Sequence, residues 1–434
     1  MSRGLGANII VFLLGIVSGV LTARGLGPEG KGVLTAILVI PFLLTPILNL
    51  GLDNSNVYLI NRHPTKGAFL FANSLWVLLI VFPVLVVGQA LIPKLMHSYG
   101  AKEIFLARIY LFGAAMGIFL SNVESLLRGL RKFYQLYTLR VLFPMISVLM
   151  LFVFFMTGLS VTKALLSNIV GGVSVIVVGL FFLRKSMTLS FAWDKRLLKE
   201  SVSYGMKSYV GTLSSIVQLR VDQLIMILLV STFHLGLYSV AARMSEALWQ
   251  ISNAVGTVLF PETSKRDSEK ASLLIVKSLL VSMLLLVIIG GLLFFFAPSI
   301  VLLFFGRDFL GVTGVFRILI FASIAMGLAR VLTEGLNGLG VPILPTYGSL
   351  CGLLANVPLL LILIPKYNIV GAAIASVIAY SCNLLVLLFL FRRVANSSYY
   401  SMLKNSVSLL TAFPTVVRLK KTSKHPHRHE ENTR

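Results

Sequence analysis

The sequence predicts an all-α polytopic membrane protein of about twelve transmembrane helices, built as two tandem six-helix lobes. Three observations lead there. Apolar side chains make up 57% of the 434 residues and charged ones 12%, about half the charged share of a soluble domain. The apolar residues gather in long charge-free runs such as 279–297, and about 18 such residues cross a bilayer core. Short matches also recur at an offset slightly above two hundred residues, as a duplicated unit would leave.

The elements follow in order. The first apolar run, 4–23, leads directly into Arg24 and a Gly-Leu-Gly-Pro-Glu-Gly turn. It lacks the shorter apolar region and small-residue cleavage site of a signal peptide, so it is expected to remain as the first helix. The second run, 33–52, ends before Asp53. Spans three to six are expected at 68–92, 104–127, 140–158 and 162–183. A basic linker, 184–202, contains Trp193, Leu197 and Leu198 and reads as an interfacial amphipathic segment. Six more spans are expected at 209–230, 235–259, 271–296, 312–334, 343–364 and 368–391. The organisation is therefore a first lobe at 1–183, the linker at 184–202 and a second lobe at 203–393. Residues 394–434 hold an interfacial segment, 399–413, too short to span comfortably, and a basic tail.

The formal net charge of +23 invites a nucleic-acid reading, which the distribution of the charge opposes. Lys and Arg crowd into alternate loops: Arg62 and Lys66; Arg128, Arg131, Lys132 and Arg140; the run from Arg184 to Lys207; Lys265, Arg266 and Lys270; and the tail. The positive-inside rule then puts both termini in the cytoplasm. Cys351 and Cys382 lie inside apolar runs and read as small buried hydrophobes.

The repeat is carried by three matches. Gly-Val-Leu-Thr-Ala at 32–36 precedes Gly-Leu-Tyr-Ser-Val at 236–240 by 204 residues. Gly129-Leu130 and Gly335-Leu336 are 206 apart, and the closing Leu-Phe-Phe-Leu-Arg-Lys and Leu-Phe-Leu-Phe-Arg-Arg are 208 apart. Six helices per repeat give both halves the same orientation, with the substrate path expected between them.

Ionisable groups inside a span are costly and mark candidate function. Arg220 and Asp222 in span seven, and Arg243 and Glu246 in span eight, are the sharpest. Arg243 and Glu246, three apart, share a helix face; Arg220 and Asp222, two apart, each need another partner. Together they imply a hydrated cavity, against the alternative of a salt-bridge cluster locking spans seven and eight. Asp53 and Arg24 are candidate additions to that cavity, although an Arg at an interface needs no further role. Glu124 and Arg128 close span four, and their repeat mates Arg330 and Glu334 carry the exchanged signs. A two-fold axis would set Glu124 against Arg330 and Arg128 against Glu334 as a cytoplasmic gate; ordinary bridges within each helix are the plainer reading. Five Arg (Arg24, Arg128, Arg220, Arg243, Arg330) against five acids (Asp53, Glu124, Asp222, Glu246, Glu334) leave the cavity not plainly cationic.

Some motifs are set aside. Gly25 to Gly30 fits a dinucleotide fingerprint but lacks the strand before it that gives the motif meaning. His425, His427 and His429 read as part of a mobile basic tail rather than a metal site. No outer loop has room for a catalytic domain, so neither an enzyme nor a resident cofactor or metal is expected.

Ala-Arg-Gly-Leu-Gly-Pro-Glu-Gly-Lys-Gly at 23–32, Asp222 followed by Leu-Gly-Leu-Tyr-Ser-Val-Ala at 235–241, and Phe260-Pro261 together carry a family resemblance. The chain resembles the polysaccharide-transporter branch, the oligosaccharide and O-antigen flippases, of the multidrug/oligosaccharidyl-lipid/polysaccharide (MOP) exporter superfamily. The resemblance implies a MATE-like fold, with two six-helix lobes around a V-shaped cavity. It implies carriage of polyprenyl-pyrophosphate-linked oligosaccharide across the cytoplasmic membrane by alternating access, for surface polysaccharide biosynthesis. The implied partners are the lipid-linked oligosaccharide, membrane lipids and a glycan polymerase or glycosyltransferases, with no nucleic acid. An ion-coupled small-molecule exporter of the same superfamily is the alternative, and a non-transporting scaffold of a glycan synthesis complex is a third reading.

Overall fold

The computed structural model describes residues 2–395. The expected 399–413 segment, the basic tail and its histidines lie outside the described residues. Within them the order is α1 (Ser2–Asn49), α2 (Leu52–Arg62), α3 (Gly67–Gly88), α4 (Ile92–Leu95), α5 (Ala101–Tyr110), α6 (Gly113–Gly129), α7 (Phe133–Met156) and α8 (Val161–Ser186). The second half continues with α9 (Lys195–Gln218), α10 (Val221–Leu229), α11 (Thr232–Glu246), α12 (Trp249–Thr263), α13 (Ser268–Phe295), α14 (Ala297–Phe305), α15 (Thr313–Gly338) and α16 (Leu344–Ala395).

Among the described residues, eight segments are long and apolar enough to cross a membrane, or nine if the bent pair in α9 and α10 is one span. Two of them are double. At about 1.5 Å per residue, helices the length of α1 and α16 far exceed a bilayer core of about 30 Å. Each folds back on itself. In α1 the reversal is at Gly27, whose φ of 67° suits a residue without Cβ, and Lys31 Nζ reaches back to Thr22 Oγ1 at 2.7 Å. In α16 it is at Asn368 (φ 53°), and Gly348 and Gly352 of the first arm pack against Asn383 of the second. The interrupted pair α11 and α12 completes twelve spans in two lobes, α1–α8 and α9–α16.

Three expected spans are interrupted, span four at Leu111 and Phe112 between α5 and α6. Span seven bends by 44° between Gly211–Gln218 and Val221–Leu229, with Arg220 in the break. Span eight is interrupted at Ala247 and Leu248, just beyond Glu246. The linker does not form a separate interfacial helix. Residues 187–194 have no regular structure, and α9 starts at Lys195, capped by the Asp194 carboxylate accepting from Leu197 N at 2.9 Å. Asn73 and Asp194 exchange side-chain-to-backbone bonds at 3.1 and 3.4 Å, and Trp193 stacks on Trp76 at 5.3 Å. These contacts fasten the connection between the lobes to α3.

The lobes meet where the second arm of α1 crosses α11. A Cβ on Gly32 would overlap the Thr232 carbonyl, and one on Gly236 would overlap the Pro28 carbonyl. Gly32 and Gly236 are repeat mates 204 apart, as are Pro28 and Thr232. The contact is therefore isologous, with the internal pseudo-two-fold axis running through it.

Candidate functional site

A cavity of about 1100 Å³ lies between the lobes. Its first-lobe wall is the start of α1 (Asn8 to Ile16) and the first half of α7 (Arg140, Phe143, Pro144); its second-lobe wall is drawn from α9, α11, α12, α15 and α16. These residues lie on the halves of the spans nearer the face that carries the amino terminus. Toward the opposite face the α1–α11 crossing closes the space between the lobes.

The charges lining it are Arg140, Arg243, Arg330 and Glu334. Three guanidinium groups against one carboxylate replace the balance of five against five, because seven of those ten residues, Arg24, Asp53, Glu124, Arg128, Arg220, Asp222 and Glu246, do not line this cavity. Neutral donors and acceptors fill the gaps: Asn8, Gln218, Gln250, Asn253, Ser349 and Asn383. Arg330 lies over the Trp249 ring at 4.6 Å and donates to Asn253 Oδ1 at 3.2 Å, while its Nε has no partner.

Behind the wall, the intramembrane charges of the second lobe form a graded series. Arg243 is 64% exposed and sits 3.7 Å from Glu246, which is 14% exposed. Glu246 is gripped from the other side by Arg220, 13% exposed, through a two-pronged pairing of guanidinium and carboxylate. Asp222 accepts from the Tyr238 hydroxyl at 2.6 Å, which lies 3.3 Å from Ser376 Oγ. Arg220, Asp222 and Glu246 share a void of about 10 Å³ with Tyr238, Ser376 and Tyr380, about the room for one water. Spans seven and eight thus carry both features weighed in the sequence: a buried lock at Arg220 and Glu246, and a cavity-facing cation at Arg243.

The remaining candidates are placed elsewhere. Arg24 Nε donates to the Phe304 carbonyl at 2.9 Å, and Nη2 to the Leu303 carbonyl, at the end of α14 in the other lobe. It lies on the face opposite the cavity mouth. Asp53 stands in the first turn of α2 beside Tyr209 of α9, with Oδ1 buried and unpartnered. Neither expected gate pair is formed, nor is either bridge within a helix. Glu124 is bonded instead to Arg140 at 2.9 Å, Glu334 packs on Gly256, and Arg128 points into a separate cleft. The reason is geometric: the pseudo-two-fold brings α1 against α11, so the repeat mates α6 and α15 stand on opposite outer sides of that contact.

A search for charges misses two features. Arg140 reads as a loop base, yet it lines the cavity. Neutral amides form a buried network in the first lobe: Asn122 Nδ2 donates to Asn49 Oδ1 at 2.8 Å, and Asn56 Nδ2 to Asn122 Oδ1 at 2.9 Å. Asn49 and Asn122, each inside an apolar run, were the available signal; Asn56 lies just beyond one.

The comparisons with known proteins fit this geometry. The family model described as polysaccharide biosynthesis protein matches residues 4–267. An uncharacterized membrane protein of Methanocaldococcus jannaschii, MJ1375, is 25% identical over 86% of this chain and 92% of its own length. The probable low-salt glycan biosynthesis flippase Agl15 of Haloferax volcanii is 22% identical over 47% of each chain. Among solved structures, the lipid II flippase MurJ in an inward closed conformation aligns with a TM-score of 0.77 at 17% identity, covering 97% of this chain and 93% of its own. An inward-facing multidrug resistance MATE family transporter of the MOP superfamily aligns at 0.72 with 15% identity, covering 91% and 96%.

Proposed function

The chain belongs to the polysaccharide biosynthesis protein family, and from that premise we propose that it is a flippase for polyprenyl-pyrophosphate-linked oligosaccharide in the cytoplasmic membrane. Both termini are cytoplasmic in this reading, and the cavity faces the side where the lipid-linked unit is made. The observation that carries it is the lining: Arg140, Arg243 and Arg330 against Glu334 alone, with amides and hydroxyls between them. Guanidinium forks match phosphate oxygens, and Asn, Gln and Ser side chains bond sugar hydroxyls. The polyprenyl chain stays in the bilayer while the head crosses between the lobes.

Alternating access then requires the α1–α11 crossing to part as the cavity mouth closes. A multidrug-type exporter of organic cations is the second reading, supported by the fold shared with MATE transporters. The wall speaks against it: Arg140 and Arg243 are paired with Glu124 and Glu246, while Arg330 makes no ion pair among the described residues and repels such cargo.

The test is export in a deletion strain complemented with wild type, Arg243→Ala and Arg330→Ala. We expect wild type to restore surface glycan. Each variant should strand lipid-linked units on the inner leaflet at normal protein level, with export down at least about ten-fold, the loss of one charge-assisted contact. Full export by both variants, or normal glycan in the deletion strain itself, would overturn the reading.

A further inference from the structure

A second polar cleft, of about 670 Å³, lies where α2, α6 and α9 meet on the face that carries the amino terminus. One side of α2 supplies Asn54, Val57, Tyr58, Asn61 and Arg62, at the spacing of a single helix face. The end of α6 supplies Arg128, held close because Gly129 packs on Ile60 and Val57. Tyr204 comes from α9 of the other lobe, and its ring stacks on Tyr58 at 4.2 Å with 7° between the planes.

Among the described residues no carboxylate lines the cleft. Arg128 makes no ion pair or hydrogen bond among the described residues, and its Nε is buried without a partner. Arg62 is committed only to the Tyr58 hydroxyl at 3.0 Å. A buried guanidinium nitrogen without an acceptor is costly, and this one stands beside a second cation, two amides and an aromatic wall. We infer that this cleft binds a phosphate-ester head group carrying a sugar or polyol, at a site separate from the central cavity. The guanidinium groups take the phosphate oxygens, the amides take hydroxyls, and a tyrosine face carries the ring. Tyr204 completes the site only while α2 and α9 stay together, so occupancy favours the conformation seen here.

Two sources have this chemistry: the head of a polyprenyl-linked glycan waiting to enter the cavity, and the head of an anionic phospholipid. Only the first rests on the flippase reading. The test uses the purified full chain in phosphatidylcholine nanodiscs with radiolabelled pyrophosphate as probe. Polyprenyl phosphate and phosphatidylglycerol are added separately as competing lipids. Arg128→Gln and the exposed Arg62→Gln should each weaken a saturable component about ten-fold, while Arg243→Ala leaves that component in place. Competition by polyprenyl phosphate alone assigns the site to the glycan carrier, and competition by phosphatidylglycerol assigns it to bulk lipid; either supports the site. Binding unchanged in both cleft variants overturns it. Because the readout is binding, that failure is distinct from full export in Arg243→Ala and Arg330→Ala cells, which would overturn the flippase reading instead.

Discussion

Glu246 is held by two guanidinium groups of unequal exposure, and that inequality separates structure from transport at the level of single residues. Removing one member of a buried ion pair leaves the other charge stranded, a loss of roughly 3–5 kcal/mol in folded proteins. Arg220→Ala should therefore lower the protein's thermal stability in detergent and its level in membranes, and Glu246→Gln added to it should restore part of that loss. Arg243→Ala, taken from the exposed side, should leave stability within about 0.5 kcal/mol of wild type. Equal melting temperatures for Arg220→Ala and wild type would remove the lock. All three residues were legible in the sequence as intramembrane charges. Which one faces the cavity was not, because exposure depends on the break at Leu219 and Arg220, which turns the guanidinium of Arg220 inward.

At the scale of elements, the crossing of α1 and α11 is the closure on the face opposite the cavity mouth. Two features hold it: backbone packing at Gly32 and Gly236, and Arg24 on the terminal carbonyls of α14. The last carbonyls of a helix lack partners within it and attract cations, so Arg24 acts as a latch between lobes rather than as a cavity residue. In a background with Cys351→Ser and Cys382→Ser, Leu237→Cys reports on this closure, since Leu237 is buried and adjoins Gly236 on α11. Adding Arg24→Ala or Gly236→Ala should raise maleimide labelling from outside the cell several-fold. Unchanged labelling in both would mean that neither contact holds the lobes together. The repeat offset exposed the two glycines as mates; that mates touch each other is a property of the two-fold axis, which no offset encodes.

For the whole molecule, α8 is one span, so Lys163 in its first turn and Lys185 in its last turn lie on opposite faces. The crowding of Lys and Arg at the Lys185 end predicts that this face is cytoplasmic. Lys163→Cys in the same cysteine-free background should label in intact cells, and Lys185→Cys only after the cells are opened. The reverse pattern would invert the orientation and turn the cavity mouth outward. The same plan explains where function sits. Parallel repeats leave their less apolar surfaces facing each other, and the polar lining is shared between lobes that can move as bodies.

The sequence by itself determined the membrane class, the duplication, ten of the span positions to within a few residues and the family, because hydropathy and repeat spacing are local or periodic signals. It also marked Arg243, Arg330 and Glu334, since charge inside an apolar run stands out wherever the chain folds. Only the tertiary structure decided their company. It gave Arg140 to the cavity and to Glu124, sent Arg128 to a cleft of its own, tied Arg24 to α14 and left both expected gate pairs unformed. Pairing between helices depends on how twelve spans rotate and tilt against one another. A side chain's partner across that packing lies about a helix diameter away in space and up to hundreds of residues away in sequence, as Arg24 and Phe304 are.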